Sequence, residues 1–150
     1  MTREERCQEA VKKGYTYDSE SGLVKNRHGK VLNQKCTSGY KRFWIIIDGK
    51  GYVIKQHQFA WYFIYNFFPE EIDHINCVRD DNRICNLRAV TTQQNQWNRN
   101  TAKGYYFNKQ IKKYKAQIVL NRKHIYLGSY NTPEQARAAY LQAKEKYHKI

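Results

Sequence analysis

The order of apolar and polar positions divides the chain into short β pieces separated by turns, with helical patterning in only a few places. Leu23–Lys25 and residues 31–33 flank Asn26-Arg27-His28-Gly29-Lys30, a spacing that predicts a hairpin. A stronger hairpin pairs residues 40–47 with 52–55 across Asp48-Gly49-Lys50-Gly51. Residues 57–67 carry Phe59, Trp61, Tyr62, Phe63, Tyr65 and Phe67 on nearly every face, and Phe68 and Pro69 follow. This pattern predicts a short buried helix, with an aromatic cage for a ligand as the alternative. His57 heads that helix and is read as structural. Residues 1–13 are charged and helix-compatible but short, and they read as a frayed lead-in.

Two further pieces with strand propensity, residues 72–75 and Leu87–Val90, enclose the polar run Asn76-Cys77-Val78-Arg79-Asp80-Asp81-Asn82-Arg83. Thr91-Thr92-Gln93-Gln94-Asn95-Gln96-Trp97 then starts a helix with a threonine available as its cap. The expected unit is strand, loop, strand, helix over about residues 71–100.

Beyond residue 102 the pattern predicts three strands and a helix. Ala116, Ile118 and Leu120 alternate with Lys115, Gln117 and Val119, and a turn at Asn121-Arg122-Lys123 leads to Ile125 and Leu127, which alternate with His124 and Tyr126. Residues 104–108 supply an edge strand. Thr132-Pro133-Glu134-Gln135 reads as a capping box with proline at the first helical position. Ala136, Ala139, Tyr140, Ala143 and Tyr147 share one face of that helix, small enough to lie close on the sheet. The opposite sheet face is left to Lys115, Gln117, His124, Tyr126 and Phe107, a basic, aromatic and amide-bearing surface suited to a DNA major groove.

Charge sharpens this picture. The 150 residues hold 27 Lys+Arg against 13 Asp+Glu, a net charge of +14. Residues 102–150 alone hold 11 against 2, so the surplus is concentrated there. Such a field attracts a polyanion. No apolar run approaches the length of about 18 residues that a membrane span needs, so nucleic acid is the expected partner and a membrane is not. Cys7, Cys36, Cys77 and Cys85 form no Cys-x-x-Cys pair; free thiols in a reducing cytosol are expected, and no structural zinc. Arg3-Glu4-Glu5-Arg6 stands where a signal peptide would need an apolar core.

The candidate chemistry lies in the central unit. Asp73 and His74 are adjacent, and Asn86 and Asn95 follow. Hydrolysis of a phosphodiester needs a base to take a proton from the attacking water, and neutral imidazole, here His74, can do so. Charge growing on the phosphate calls for a hard divalent cation on oxygen ligands, for which Asp73 and Asn95 are the candidate pair. Alternation sends Asp73 and His74 to opposite strand faces unless the strand bends or bulges. His74 then needs its own holder, and Asn86 on the partner strand is the candidate acceptor for its second ring N–H. The competing reading takes Asp-His-Ile-Asn as an ordinary turn and the asparagines as loop caps. Arg79, Arg83, Arg88 and Arg99 surround the unit as phosphate donors; Arg83 and Arg88 are equally candidates to pair with Asp80 and Asp81.

Asp73-His74-Ile75-Asn76, Asp81-Asn82-Arg83-Ile84-Cys85-Asn86-Leu87-Arg88 and Thr91-Thr92-Gln93-Gln94-Asn95 together resemble the motif of HNH homing endonucleases, in the Asp-His/Asn/Asn variant of phage and intron-associated enzymes. Gln56-His57-Gln58-Phe59-Ala60 is similar to a segment that precedes the motif in that family, with Gln58 in place of the usual arginine. The resemblance implies Asp73 and Asn95 as metal ligands, His74 as general base and Asn86 as its orienter. It also implies magnesium or manganese as cofactor, duplex DNA as partner and, for a phage-encoded protein, the cytoplasm of a bacterial host.

Lys113-Tyr114-Lys115-Ala116-Gln117-Ile118 and Tyr126-Leu127-Gly128-Ser129-Tyr130-Asn131-Thr132-Pro133-Glu134-Gln135-Ala136 resemble the APETALA-type (ethylene-response-factor) DNA-binding domain. Tyr114, Lys115 and Val119 depart from residues common in that family. Arg83, Arg88, Arg99, Phe107, Lys109, Lys113, Lys115, Gln117, Arg122, Lys123, His124 and Tyr126 are the expected DNA contacts.

The expectation is therefore an α+β chain: a ββα-metal nuclease unit preceded by β-hairpins in residues 1–101, and a three-stranded antiparallel sheet with one C-terminal helix in residues 102–150. Its expected function is metal-dependent, site-preferring DNA cleavage, acting as a monomer. The rivals are a DNA-binding regulator that keeps the nuclease fold without its activity, and an RNA-binding module stacking bases on its tyrosines.

Overall fold

A computed structural model describes residues 1–98 and 102–149. Arg99, one of the expected phosphate contacts, lies outside the described residues. The architecture is mixed α and β, built from small antiparallel sheets and helices, in two compact units, residues 1–91 and 92–150.

The first unit opens with helix α1, Arg3–Lys12, where a frayed lead-in was expected. A capping box forms it: the Thr2 hydroxyl accepts from the Glu5 amide, and the Glu5 carboxylate accepts from the Thr2 amide at 2.8 Å. Cys7 and Ala10 anchor its inner face in the core, and burial pushes the Cys7 thiol up to about 12. Strand β1, Thr16–Asp18, pairs with β2, Leu23–Lys25, burying Tyr17 opposite Val24. The expected hairpin of 23–25 with 31–33 is thereby reduced to a single bridge, Lys25 to Val31. Its turn does form, with the Asn26 carboxamide accepting from the amides of His28 and Lys30. The buried Tyr17–Val24 pair makes β1 the stronger partner.

Strands β3, Arg42–Ile47, and β4, Lys50–Lys55, form the second hairpin. Its tight turn is Asp48-Gly49, both at positive φ, the geometry that matches the right-handed twist of the strands. Phe43, Ile45 and Ile47 enter the core, while Trp44 and Ile46 face outward, as a period of two requires. Helix α2, Gln56–Tyr65, buries its first turns through His57, Phe59, Ala60, Trp61 and Tyr62. Phe63, Ile64 and Tyr65 in its last turn are exposed, so the helix is buried over part of its length only. Strand β5, Glu71–His74, lies against α2 and pairs with β6, Leu87–Val90; a 3-10 turn, Ile84–Asn86, leads into β6.

The second unit begins with α3, Thr92–Trp97. Strands β7, Tyr105–Asn108, β8, Lys113–Leu120, and β9, Lys123–Tyr130, form an antiparallel sheet in that order. The β8–β9 turn is Asn121-Arg122, both at positive φ. Helix α4, Pro133–Tyr147, starts at Thr132, whose hydroxyl accepts from the Gln135 amide, and packs Tyr140 and Ala143 on Ile118. Trp97 of α3 stacks on His148 with ring centroids 4.5 Å apart.

Candidate active site

Asp73 and His74 close strand β5, and both are buried, at 7% and 4% exposure. The β5–β6 register explains their separate surroundings. Asp73 lies opposite Arg88 and His74 opposite Leu87, so the two side chains leave the ribbon on opposite faces, as alternation expects. Arg88 donates from Nε and Nη2 to Oδ2 of Asp73, at 3.0 and 2.8 Å. Its partner is therefore Asp73, rather than Asp80 or Asp81.

His74 faces an aromatic wall. The His57 ring lies 5.2 Å from it, and Tyr40 packs on both, 5.1 Å from His57 and 5.8 Å from His74. Burial holds the His74 imidazole below its ordinary pKa, against the opposing effects of the Asn82 hydrogen bond and the charge of Asp73. The ring is thus neutral at neutral pH, the state in which a nitrogen lone pair can accept a proton.

The loop between β5 and β6 corrects one expectation. Asn86 does not hold His74. Its Oδ1 accepts from the Asn76 amide at 3.0 Å, and its Nδ2 donates to the Asp81 carbonyl at 2.8 Å. Because Asn86 ends the 3-10 turn rather than standing in β6, its amide is spent closing the loop. The residue on His74 is Asn82, 2% exposed, whose Oδ1 lies 3.0 Å from Nε2. Sequence reasoning treated Asn82 as a turn former; its place between Asp81 and Arg83 in the motif was the available signal.

Asp81 ties the outer loop. It accepts from Asn76 Nδ2 and takes both Nε and Nη2 of Arg83, which hold its carboxyl well below the usual range. Asp80 pairs with Lys35, and Arg79 donates to the Ser38 carbonyl and lies over Tyr40. Arg83 and Arg88, expected as phosphate contacts, thus each hold a carboxylate in this structure. Asn95 is half-buried on α3, within the second unit.

In the second unit the register moves one expected contact. Tyr106 lies opposite Lys115, and Phe107 lies opposite Tyr114. Phe107 therefore stands on the same side as buried Ala116, and Tyr106 joins Lys115 on the other. Gln117 pairs with Tyr126 and Val119 with His124 across a bulge after Ala116, so Lys115, Gln117, His124 and Tyr126 do share that outer face. Lys115 lies over the Tyr126 ring, and the Tyr126 hydroxyl is 2.6 Å from Ser129 Oγ. Lys109, Lys113, Arg122 and Lys123 are exposed at the turns and strand ends of the sheet.

Residues 55–97, which run from the last residue of β4 through α2, β5, the loop and β6 to the end of α3, match the family model described as HNH endonuclease. Among solved structures, the chain is similar to one of DNA binding and cleavage by the HNH homing endonuclease I-HmuI, at 30% identity and a TM-score of 0.49. That likeness covers 56% of this chain and 50% of the other, so the chain spans half the length of that protein. No curated protein matches the chain. Among the described residues, no helix is long and apolar enough to cross a membrane.

Proposed function

We propose that the chain is a metal-dependent DNA endonuclease of the HNH homing type, with His74 as general base. One observation carries the reading: within a segment that matches the HNH endonuclease family model, a buried histidine stands beside a buried aspartate with its ring held by an asparagine. His74 accepts the proton of the attacking water, and its neutral state at working pH makes it competent to do so. The aromatic wall of Tyr40 and His57 limits the orientations the ring can take.

The donor chemistry fits a hard cation. As the resemblance implies, the candidate ligands are the carboxylate of Asp73 and the amide oxygen of Asn95, donor types that suit magnesium or manganese better than a softer metal. When bound, such a cation supplies positive charge to the phosphate as negative charge develops on it. Arg88 keeps the Asp73 carboxylate in place by two hydrogen bonds to one oxygen.

Residues 102–150 supply affinity and position. The face bearing Lys115, Gln117, His124 and Tyr126 is basic, and the residues after 101 carry most of the surplus charge. We assign this part as an APETALA-type domain on duplex DNA, in a chain acting as a monomer. Incubation with supercoiled plasmid and magnesium tests the proposal: nicked or linear product that vanishes on chelation supports it, and binding without cleavage at any divalent metal replaces it with a DNA-binding regulator.

A further inference from the structure

The N-terminal hairpin meets the loop of the proposed site along residues 82–84. The hydroxyl of Tyr17 on β1 donates to the Asn82 carbonyl at 2.7 Å, and the Ile84 amide donates to the Ser19 carbonyl at 3.2 Å. Between those contacts, Gly22 in the β1–β2 turn meets the backbone of residues 82–83 directly. A Cβ there would lie 2.7 Å from the Asn82 carbonyl carbon and 2.6 Å from the Arg83 nitrogen. Gly22 also has φ +70°, so glycine is required on two grounds. A hairpin some sixty residues upstream thus fixes the backbone of Asn82, leaving its side chain directed at His74.

We infer that Asn82, fixed from behind by the β1–β2 hairpin, is the positioning residue that orients the His74 ring. The inference rests on the reading of His74 as general base. The Asn82 oxygen accepts from Nε2–H, which sets the tautomer of the neutral ring and makes Nδ1 its basic nitrogen. Asn86, by contrast, acts on the loop and not on the ring. Burial matters to this role: a 2% exposed amide holds one rotamer and has no water to compete for its oxygen. The first hairpin thus acts on the site through its hold on the Asn82 backbone.

The test uses the full chain, single-turnover plasmid cleavage with magnesium, and 15N NMR of the histidine rings. Asn82→Ala is expected to slow cleavage about 10–100-fold, the range for loss of a group that orients a site residue. DNA affinity stays unchanged. Adding Asn82→Ala to His74→Ala should bring no further loss; a multiplicative loss shows that Asn82 acts apart from His74 and overturns the inference. In the wild-type spectrum His74 should be the Nε2–H tautomer, and an Nδ1–H tautomer overturns it as well. Where Asn82→Ala fails to fold, that spectrum decides, together with Tyr17→Phe, which should cut more slowly at temperatures well below its own melting transition, an unchanged rate there counting against the inference. If His74→Ala alone leaves the rate unchanged, the base assignment fails separately. The inference is then judged on the ring: a His74 signal moved by Asn82→Ala supports it, and one left in place overturns it.

Discussion

Replacing His57 by phenylalanine should flatten the acid limb of the stability profile. Burial, then the nearby charges of His74 and Lys55, pushes the His57 imidazole from its ordinary 6.5 down to about 3. Its Nδ1 has no hydrogen-bond partner among the described residues. Between those two values the unfolded chain binds a proton at this position and the folded chain does not, so stability rises with pH. The contribution is complete above the unfolded pKa and is lost as the pH falls toward the folded one. At about 1.36 kcal/mol per pKa unit the loss levels off near about 5 kcal/mol. About 2 kcal/mol of that falls between about pH 7 and about pH 5. Urea unfolding of wild type and His57→Phe at those two pH values, followed by tryptophan fluorescence, measures it. Phenylalanine has nearly the shape of the imidazole and does not titrate, so common effects of other groups cancel in the comparison. An equal pH response in both proteins, or an NMR titration of His57 near its ordinary value, would refute the reasoning.

Gly22→Ala should cost about 1–3 kcal/mol through positive-φ strain and backbone overlap, and an unchanged melting temperature would show that the close approach to residues 82–83 is wrong. Asp73→Ala and Asn95→Ala should both raise the metal concentration that cleavage requires, with Asp73→Ala the worse because a carboxylate brings charge to a hard cation and an amide only a dipole. Overlaying metal titrations would remove both residues as ligands. Lys115→Ala should weaken binding to all duplexes alike and reduce the salt slope of log K by about 0.9 for one lost phosphate contact. Gln117→Ala should instead cost about 1–3 kcal/mol at a single base pair, and a uniform loss across sequences would make it a backbone contact.

The parts of the fold that local pattern determines were legible. The alternation of Phe43, Ile45 and Ile47 with Trp44 and Ile46 located the β3–β4 hairpin, and Thr132-Pro133 marked the start of α4. Helix α1 was legible as helix-compatible, but its order was not, because only Cys7 and Ala10 are buried and charge dominates the rest of its length. The side taken by Phe107 depends on the register Tyr106 to Lys115, across a turn that ends on Lys112 at positive φ. Strand parity alone does not give that register. In the candidate site, the adjacency of Asp73 and His74 and their opposite faces could be read directly. The holder of His74 could not, because Asn82 and Asn86 are both loop asparagines, and what separates them is the long-range contact of Asn82 with Tyr17. His57 was passed over as a lone histidine, since its meeting with His74 arises from the packing of α2 on β5.

Cleavage of DNA with His74 as the general base is what we propose for this chain. The most direct measurement compares wild type and His74→Ala on supercoiled plasmid with magnesium, at protein concentrations that saturate binding. Wild type should give nicked or linear product, and His74→Ala should be slower by about 10²–10⁴-fold with its DNA affinity intact. Cleavage by His74→Ala within about threefold of wild type, well inside that range, would contradict the account, as would a wild-type protein that binds plasmid and leaves it whole.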